Sequence, residues 1–397
     1  MNLRSANAGA RNDSGHIGGE FVRIIVAPDS YKGSLSASEA AASMVRGLRK
    51  AAPNAVIASF PMADGGEGTT EAIVTALGGE WMQAVVTGPM GDPVTASYGI
   101  IDDGRTAVIE VAAASGLPLV EKERRNPLLA TSYGTGELIR SALRKGCRKI
   151  ILGLGGSATV DGGVGMAQAL GIRFLDAAGA SVGFGGGELE RIARIDDSSA
   201  DPLLRSTEFV LPCDVTNPIC GPFGAAAVFG PQKGADAVMV ERLDRGLRHT
   251  AQLLADRFHE DVFTIPGLGA AGGLALPLKA FASAEMVPGA NMVMEVTGLH
   301  EALTNADLVL TGEGATDEQT AYGKVVAAIA AAASAKQVPV VCLSGALGQG
   351  IERLYALGVT AMFSIMNRPM SLEEAFKESE TLIEQAAENI GRLFIRP

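Results

Sequence analysis

Apolar residues in this chain come in short runs that stop abruptly at glycine, proline or an acid, separated by stretches with the three-to-four-residue period of helices. The first run, FVRIIVA at 21–27, halts at Pro28 as a buried parallel strand would. Ser36 with Glu39 three residues later makes a capping box that predicts a helix over 37–51. A second strand over 55–60 ends in PMADGGEGTT, and the strand-loop-helix step repeats. From about residue 80 the texture changes. WMQAVVTG, VTASYGII and TAVIEVAA read as antiparallel strands, with Asp103-Gly104 as a hairpin turn. A helix over 134–145 leads to the run KIILG and a glycine-rich loop; a strand over 207–212 precedes CDVTNPICGPFGA, and a charged amphipathic helix covers 236–258. Beyond residue 260 the alternation of strand and helix returns. It closes on a helix over 371–394, with Ser371 and Glu374 as its capping box.

Parallel strands at both ends of the chain around a hairpin-containing middle predict an α/β protein. The expected architecture is a discontinuous parallel-sheet domain, residues 21–78 plus 262–397, with a second, mixed α/β domain, residues 79–261, inserted into it. The active site is expected in the interdomain cleft, because open α/β sheets bind ligands at the carboxyl ends of their strands. Residues 1–20 are polar, lack the apolar segment of a signal peptide and are expected to form a disordered extension. A length of 397 residues exceeds what one core usually serves, and 50 glycines with only 5% aromatics suit strands and helices joined at small residues.

Composition also excludes function classes. A net charge of −11 argues against nucleic acid as a partner. No run approaches the roughly 20 apolar residues of a membrane span, so no membrane partner is expected. The four cysteines, 147, 213, 220 and 342, form no CxxC pair, which predicts neither a zinc site nor a disulfide framework and fits a cytoplasmic location. None of the four histidines, 16, 249, 259 and 300, lies in a glycine- or acid-rich motif. A Ser-His-Asp hydrolase or a His-ligated metal enzyme is therefore not expected. The chemistry falls to carboxylates, lysines, small hydroxyls and backbone amides.

Those groups concentrate in loops that follow apolar runs. In GLGGSATVDGG, residues 153–163, glycines let the backbone approach a ligand, Ser157 and Thr159 add donors, and Asp161 is a possible metal or proton acceptor. The following VGMAQALG predicts a helix whose free amides face the same spot. Four further loops, around Asp29, Asp64, Asp214 and Gly312–Gln319, each put an acid or amide beside glycine or another polar turn residue. One such loop is ordinary turn chemistry; several together predict one shared ligand site. Carboxylates for Mg²⁺, lysines and amides for phosphate oxygens, and a group to position an acceptor hydroxyl are the parts of phosphoryl transfer. Lys32, Lys233 and Lys324 each have glycine beside them, as a lysine reaching into a ligand would. Gly267-Leu-Gly269-Ala-Ala-Gly272 matches GxGxxG formally, but Pro266 precedes it and its frame is wrong for a dinucleotide fingerprint; no GxxxxGK[ST] occurs.

The chain resembles the bacterial glycerate kinases of the type-1 group, which includes the glyoxylate- and glucarate-pathway glycerate 2-kinases. The resemblance spans about 21–395 and rests on APDSYKGSLSA (27–37), PMADGGEGT (61–69), GPMGDPV (88–94), ATSYGTGELI (130–139), GLGGSATVDGGVGMAQALG (153–171), CDVTNPICGPFGAA (213–226), GAAGGLA (269–275) and TGEGATDEQTAYGKV (311–325). It implies ATP-dependent phosphorylation of D-glycerate to 2-phosphoglycerate with Mg²⁺, and two α/β domains with a cleft between them, the smaller inserted into a Rossmann-like one; a monomer or homodimer is expected. Over that resemblance, Gly155, Gly156, Ser157, Thr159 and Asp161 are expected to hold phosphates. Asp64, Asp214 and Asp317 are candidates for Mg²⁺ or for accepting the hydroxyl proton. Ser30, Lys32 and Lys324 would clamp the carboxylate or the transferred phosphoryl, with Glu67, Asn217 and Gln319 reading hydroxyls. Two other readings stay open: an NAD(P)-linked hydroxy-acid oxidoreductase and a non-catalytic hydroxy-acid binder.

Overall fold

The computed structural model describes residues 22–394, so the predicted extension 1–20 lies outside the described residues. Five parallel strands form one sheet in the spatial order Val359–Ser364, Val340–Leu347, Leu308–Thr316, Arg23–Pro28, Val56–Ser59. The chain builds its first two strands, leaves, and returns at Leu308 for the other three. Alternate residues point to opposite faces of a strand, and here both faces are dry. Ile24 and Val26 pack with Leu308, Leu310 and Leu343 under the Ala37–Ala51 and Leu372–Phe394 helices. Ile25 and Ala27 pack with Val309 and Val340 on the other side. Both predicted capping boxes form: the Glu39 amide donates to Ser36 Oγ, and the Glu374 amide to Ser371 Oγ.

The intervening chain builds a six-stranded mixed sheet in the order Glu285–Val287, Glu208–Pro212, Lys149–Gly153, Thr106–Glu110, Pro93–Ile101, Glu80–Thr87. Its last two strands are antiparallel, and the predicted turn at 103–104 joins Pro93–Ile101 to Thr106–Glu110, with Asp102, Asp103 and Gly104 all at positive φ. One face carries the largest core of the molecule, filled by helices Tyr133–Arg144, Val164–Ala169 and Ala237–Leu254. The chain from Val262 to Ala284, expected with the outer sheet, packs into this core, and its continuation Glu285–Val287 pairs in parallel with Glu208–Pro212.

The opposite face presents Ile101, Val108, Ile151 and Val210. These join the same apolar cluster as Ile25, Ala27 and Val309 of the five-stranded sheet. Helices Thr69–Leu77, Gly289–Val296 and Val325–Ser334 contribute Ile73, Val293 and Ile329 to that shared layer. The two sheets are thus bonded through one continuous body of side chains, and their strand ends are held in fixed relation.

Candidate active site

Five strands, two from the five-stranded sheet and three from the six-stranded one, deliver their carboxyl-terminal ends to a single cavity of 1110 Å³, the fifth through Glu110 at the end of Thr106–Glu110. From the five-stranded sheet come Asp29, Ser30 and Lys32 after Pro28, and Asp64, Gly66 and Glu67 after Ser59; from the other come Gly155, Gly156 and Ser157 after Gly153, and Asp214 after Pro212. Eight of the residues expected from sequence therefore line one cavity: Ser30, Lys32, Asp64, Glu67, Gly155, Gly156, Ser157 and Asp214.

Local hydrogen bonds aim the acids. The Ser30 amide donates to Asp29 Oδ1 at 2.6 Å, and the Asp29 amide donates to the Gly312 carbonyl at 2.8 Å. The Gly66 amide donates to Asp64 Oδ1 at 3.1 Å, closing a tight turn around that carboxylate. The Gly289 amide reaches Asp214 Oδ1 at 2.8 Å, so the start of a helix behind the cavity orients the third acid.

Burial lifts the Asp29 carboxyl to about 7, with the charges of Asp64 and Glu313 adding to the rise. Asp214 stands at the open rim, yet the protein packed around its carboxyl and the nearby Asp64 lift it to about 6, against the opposing Gly289 amide. Asp64 thus sits between two like charges and raises both. Because Asp29 is raised on folding, the folded protein keeps a proton that the unfolded chain has released between about pH 4 and 7. The stability from this group is present below its unfolded value and is lost as pH rises through 7. Asp29→Asn should accordingly match the parent's Tm near pH 4 and exceed it by a widening margin up to neutral pH, where the difference levels off in thermal melts; a constant difference across that range would contradict the assignment.

The glycine loop is built differently from the expectation. Asp161 is 1% exposed, and its carboxylate accepts from the Ser132 amide and hydroxyl, each at 2.8 Å, and from the Gly163 and Gly165 amides at 3.2 and 3.3 Å. Ser132 Oγ takes the Met166 amide as well. The helix that follows, Val164–Ala169, is short, and its leading amides are consumed by Asp161 and Ser132. Asp161 is thus an internal brace, and no ligand reaches it. Thr159 is also buried away from the cavity, and its carbonyl faces Lys233. What remains for a ligand is the front of the loop, where the amides of Gly155, Gly156 and Ser157 donate to no protein acceptor among the described residues. Gly155 has a second task. A Cβ on it would lie 2.6 Å from the Gly66 Cα, so the absence of a side chain lets the 155–157 loop and the Asp64 loop touch backbone to backbone. No movement is needed to bring them together.

The remaining candidates lie elsewhere. Asp317 caps the Glu318–Ala321 turn, accepting from the Gln319 amide at 2.8 Å, and Gln319 is exposed. Lys324 precedes the Val325–Ser334 helix; burial raises the neighbouring Glu313, whose carboxylate accepts from Thr316 and Thr320, and the Lys324 charge opposes that rise. Asn217 braces its own loop, its Nδ2 donating to the Phe223 carbonyl at 2.9 Å. None of these four, Asp317, Gln319, Lys324 and Asn217, lines the cavity. Of the three candidates for Mg²⁺ or for the hydroxyl proton, Asp64 and Asp214 face the cavity and Asp317 does not. Among the described residues no group of three or more His, Cys, Asp or Glu side chains is arranged as a metal cage.

Asp29 and Lys233, noted in the sequence but given no specific part in the reaction, and Glu110, not noted at all, also line the cavity. Asp29 carried a signal, an acid directly after a strand-ending proline, and Lys233 carried its flanking glycine; nothing local marks Glu110, which is buried, raised by that burial and bonded to the Thr70 amide at 2.8 Å. The 267–272 glycines follow no strand and form a short turn at Ala270–Gly272, so the dinucleotide frame is absent from this segment. All four cysteines are free, and among the described residues no helix is long and apolar enough to cross a membrane.

Comparison with known proteins agrees with the geometry. Residues 24–395 match the profile of the glycerate kinase family. The chain is 49% identical over 368 residues to a glycerate kinase of Halalkalibacterium halodurans, covering 93% of this chain and 97% of that protein. It is 47% identical over 370 residues to the glycerate 2-kinase of Escherichia coli, with the same coverage of 93% and 97%. A crystal structure from Salmonella typhimurium, assigned as glycerate kinase 2, superposes with a TM-score of 0.85 at 46% identity over 94% of this chain and 98% of that one. With its acid-lined cavity and these relatives along nearly its whole length, the chain is a phosphotransferase that belongs to the glycerate kinase family.

Proposed function

We propose that the chain transfers the γ-phosphoryl group of ATP to D-glycerate, giving 2-phosphoglycerate, inside this cavity. The observation that carries the reading is the meeting of two kinds of group in one cavity: the carboxylates of Asp29, Asp64 and Asp214, and the unspent amides of Gly155–Ser157. The name of the 47%-identical Escherichia coli relative supports the 2-position. The cavity is read as the cleft between a Rossmann-like unit and an inserted α/β unit, with the insert extended from 79 to about 287 so as to include the strand Glu285–Val287.

The acids suit Mg²⁺. It takes one or two carboxylates and completes its shell with water and substrate phosphates, and Asp64 and Asp214, close enough for one to raise the other, are a pair that a dication would relieve. When bound, Mg²⁺ would supply charge neutralisation at the phosphate oxygens. Asp29 then serves as general base: raised to about 7, it is poised to accept the hydroxyl proton of glycerate near neutral pH. Lys32, exposed at the mouth beside Ser30, takes the glycerate carboxylate, and Glu67 is placed to read a hydroxyl. The backbone amides of 155–157 hold the phosphoryl oxygens as charge develops.

A coupled assay of ADP release with D-glycerate, L-glycerate, related hydroxy acids and a no-acceptor control tests the reading, with ³¹P NMR to identify the product. Mg²⁺-dependent ADP release with D-glycerate and a 2-phosphoglycerate signal are the expected results. Glycerate binding with no ADP formed would return the chain to a binding role, and a 3-phosphoglycerate signal would reverse the regiochemistry.

A further inference from the structure

One cation at the cavity wall has no place in the scheme above. Lys233 ends the short Pro231–Lys233 turn and is only 2% exposed, yet it lines the cavity beside Ser157 and Gly156. Its Nζ donates to Ser157 Oγ at 2.8 Å and to the Thr159 carbonyl at 2.7 Å. An ammonium carries three N–H donors, and the third has no protein acceptor among the described residues. No carboxylate among the described residues lies within ion-pair distance. The nearest acid to act on it, Asp161, is engaged by Ser132 and its own loop.

A buried ammonium without a counter-ion is costly, and burial lowers Lys233 to about 7, so the unliganded side chain gives up its charge readily and an anion beside it would restore that charge. The arrangement makes sense when an anion enters the cavity. Its position selects among anions. Lys233 and Ser157 Oγ converge with the amides of Gly155, Gly156 and Ser157, a donor set matched to the many oxygens of a polyphosphate, whereas a carboxylate offers two and Lys32 stands ready for it.

We propose that Lys233 is a phosphate ligand for the nucleotide, its third N–H and the Ser157 hydroxyl binding polyphosphate oxygens at the front of the 155–157 loop. The proposal rests on the kinase reading for the identity of the anion and goes beyond it in naming the residue.

The test is calorimetric titration of ADP with Mg²⁺, and separately of D-glycerate, into wild type, Lys233→Met and Ser157→Ala, with thermal melts of each unliganded protein. Methionine matches the stem of lysine and removes a costly buried amine while giving up its bonds to Ser157 Oγ and the Thr159 carbonyl, so the unliganded Lys233→Met protein should melt within a few degrees of wild type. Its ADP Kd should rise about 10- to 100-fold, the loss typical of a hydrogen bond to a charged group, with the glycerate Kd within about twofold of wild type. Ser157→Ala, which leaves the lysine in place, should weaken ADP by a smaller factor and spare glycerate. Unchanged ADP affinity in Lys233→Met overturns the proposal. So does a melting temperature lowered beyond that range with ADP and glycerate weakened alike, which would make Lys233 a structural strut. Should wild type bind ADP through Lys233 yet release none with glycerate in the coupled assay, the kinase reading falls and the phosphate site stands.

Discussion

Asp64→Asn should lower kcat by at least about 100-fold while leaving the fold intact, the loss expected when a metal-bearing carboxylate of a phosphoryl-transfer site is neutralised. Asparagine keeps the shape of the side chain and can still accept the Gly66 amide through its carbonyl oxygen, so the turn that holds residue 64 survives. What disappears is the charge that Asp29 and Asp214 both feel. Two further effects follow from that position. Half-saturation by Mg²⁺ should move to higher concentration, and the acidic limb of the pH–rate profile should shift to lower pH, because Asp29 loses a like charge that holds its proton on. Steady-state kinetics over a Mg²⁺ and pH grid would show all three. A variant with near-normal kcat would remove Asp64 from the chemistry, and lost activity with an unmoved pH limb would show that Asp64 and Asp29 act independently.

Gly155→Ala should cost at least about 10-fold in kcat/KM, and Gly155→Val more, since displacement of a catalytic loop by a fraction of an ångström is enough to spoil an aligned transfer. The new Cβ would stand 2.6 Å from the Gly66 Cα, a backbone atom with no way to rotate aside, so one of the two loops must move. Gly155 is not at positive φ, which separates this clash from backbone strain. Both the 155–157 loop and the Asp64 loop serve the cavity, so KM for nucleotide and kcat should worsen together. Circular dichroism would confirm that the fold persists, and unaltered kinetics for both variants would show that the contact between the loops is incidental.

Local rules made much of the fold legible. FVRIIVA, the two capping boxes and the turn at 103–104 each carry their signal within a few neighbouring residues, and each appears where that signal puts it. The strand Glu285–Val287 and the ribbon Arg173–Leu175 with Arg194–Asp196 were not legible, because segments this short are strands only by virtue of partners far along the chain. The site divides similarly. Asp64, Asp214 and the 155–157 backbone announce themselves as acids and glycines after apolar runs. Asp161 and Asp317 have the same local appearance, but each spends its carboxylate on amides of its own loop, and only the three-dimensional arrangement shows which acids face inward. Lys233 shows the converse: a lysine in a turn looks solvent-exposed until the Ser157–Thr159 segment closes over it.

The apolar layer shared by the two sheets bears on how this protein comes apart. Ile25 and Val309 of one sheet and Val108 and Ile151 of the other lose water in the same step, so neither sheet can expose its inner face without stripping the other's. A chain of this length would ordinarily be free to unfold in two stages, one for each sheet. Here the interface belongs to both cores, so the two sheets are expected to melt as one cooperative unit.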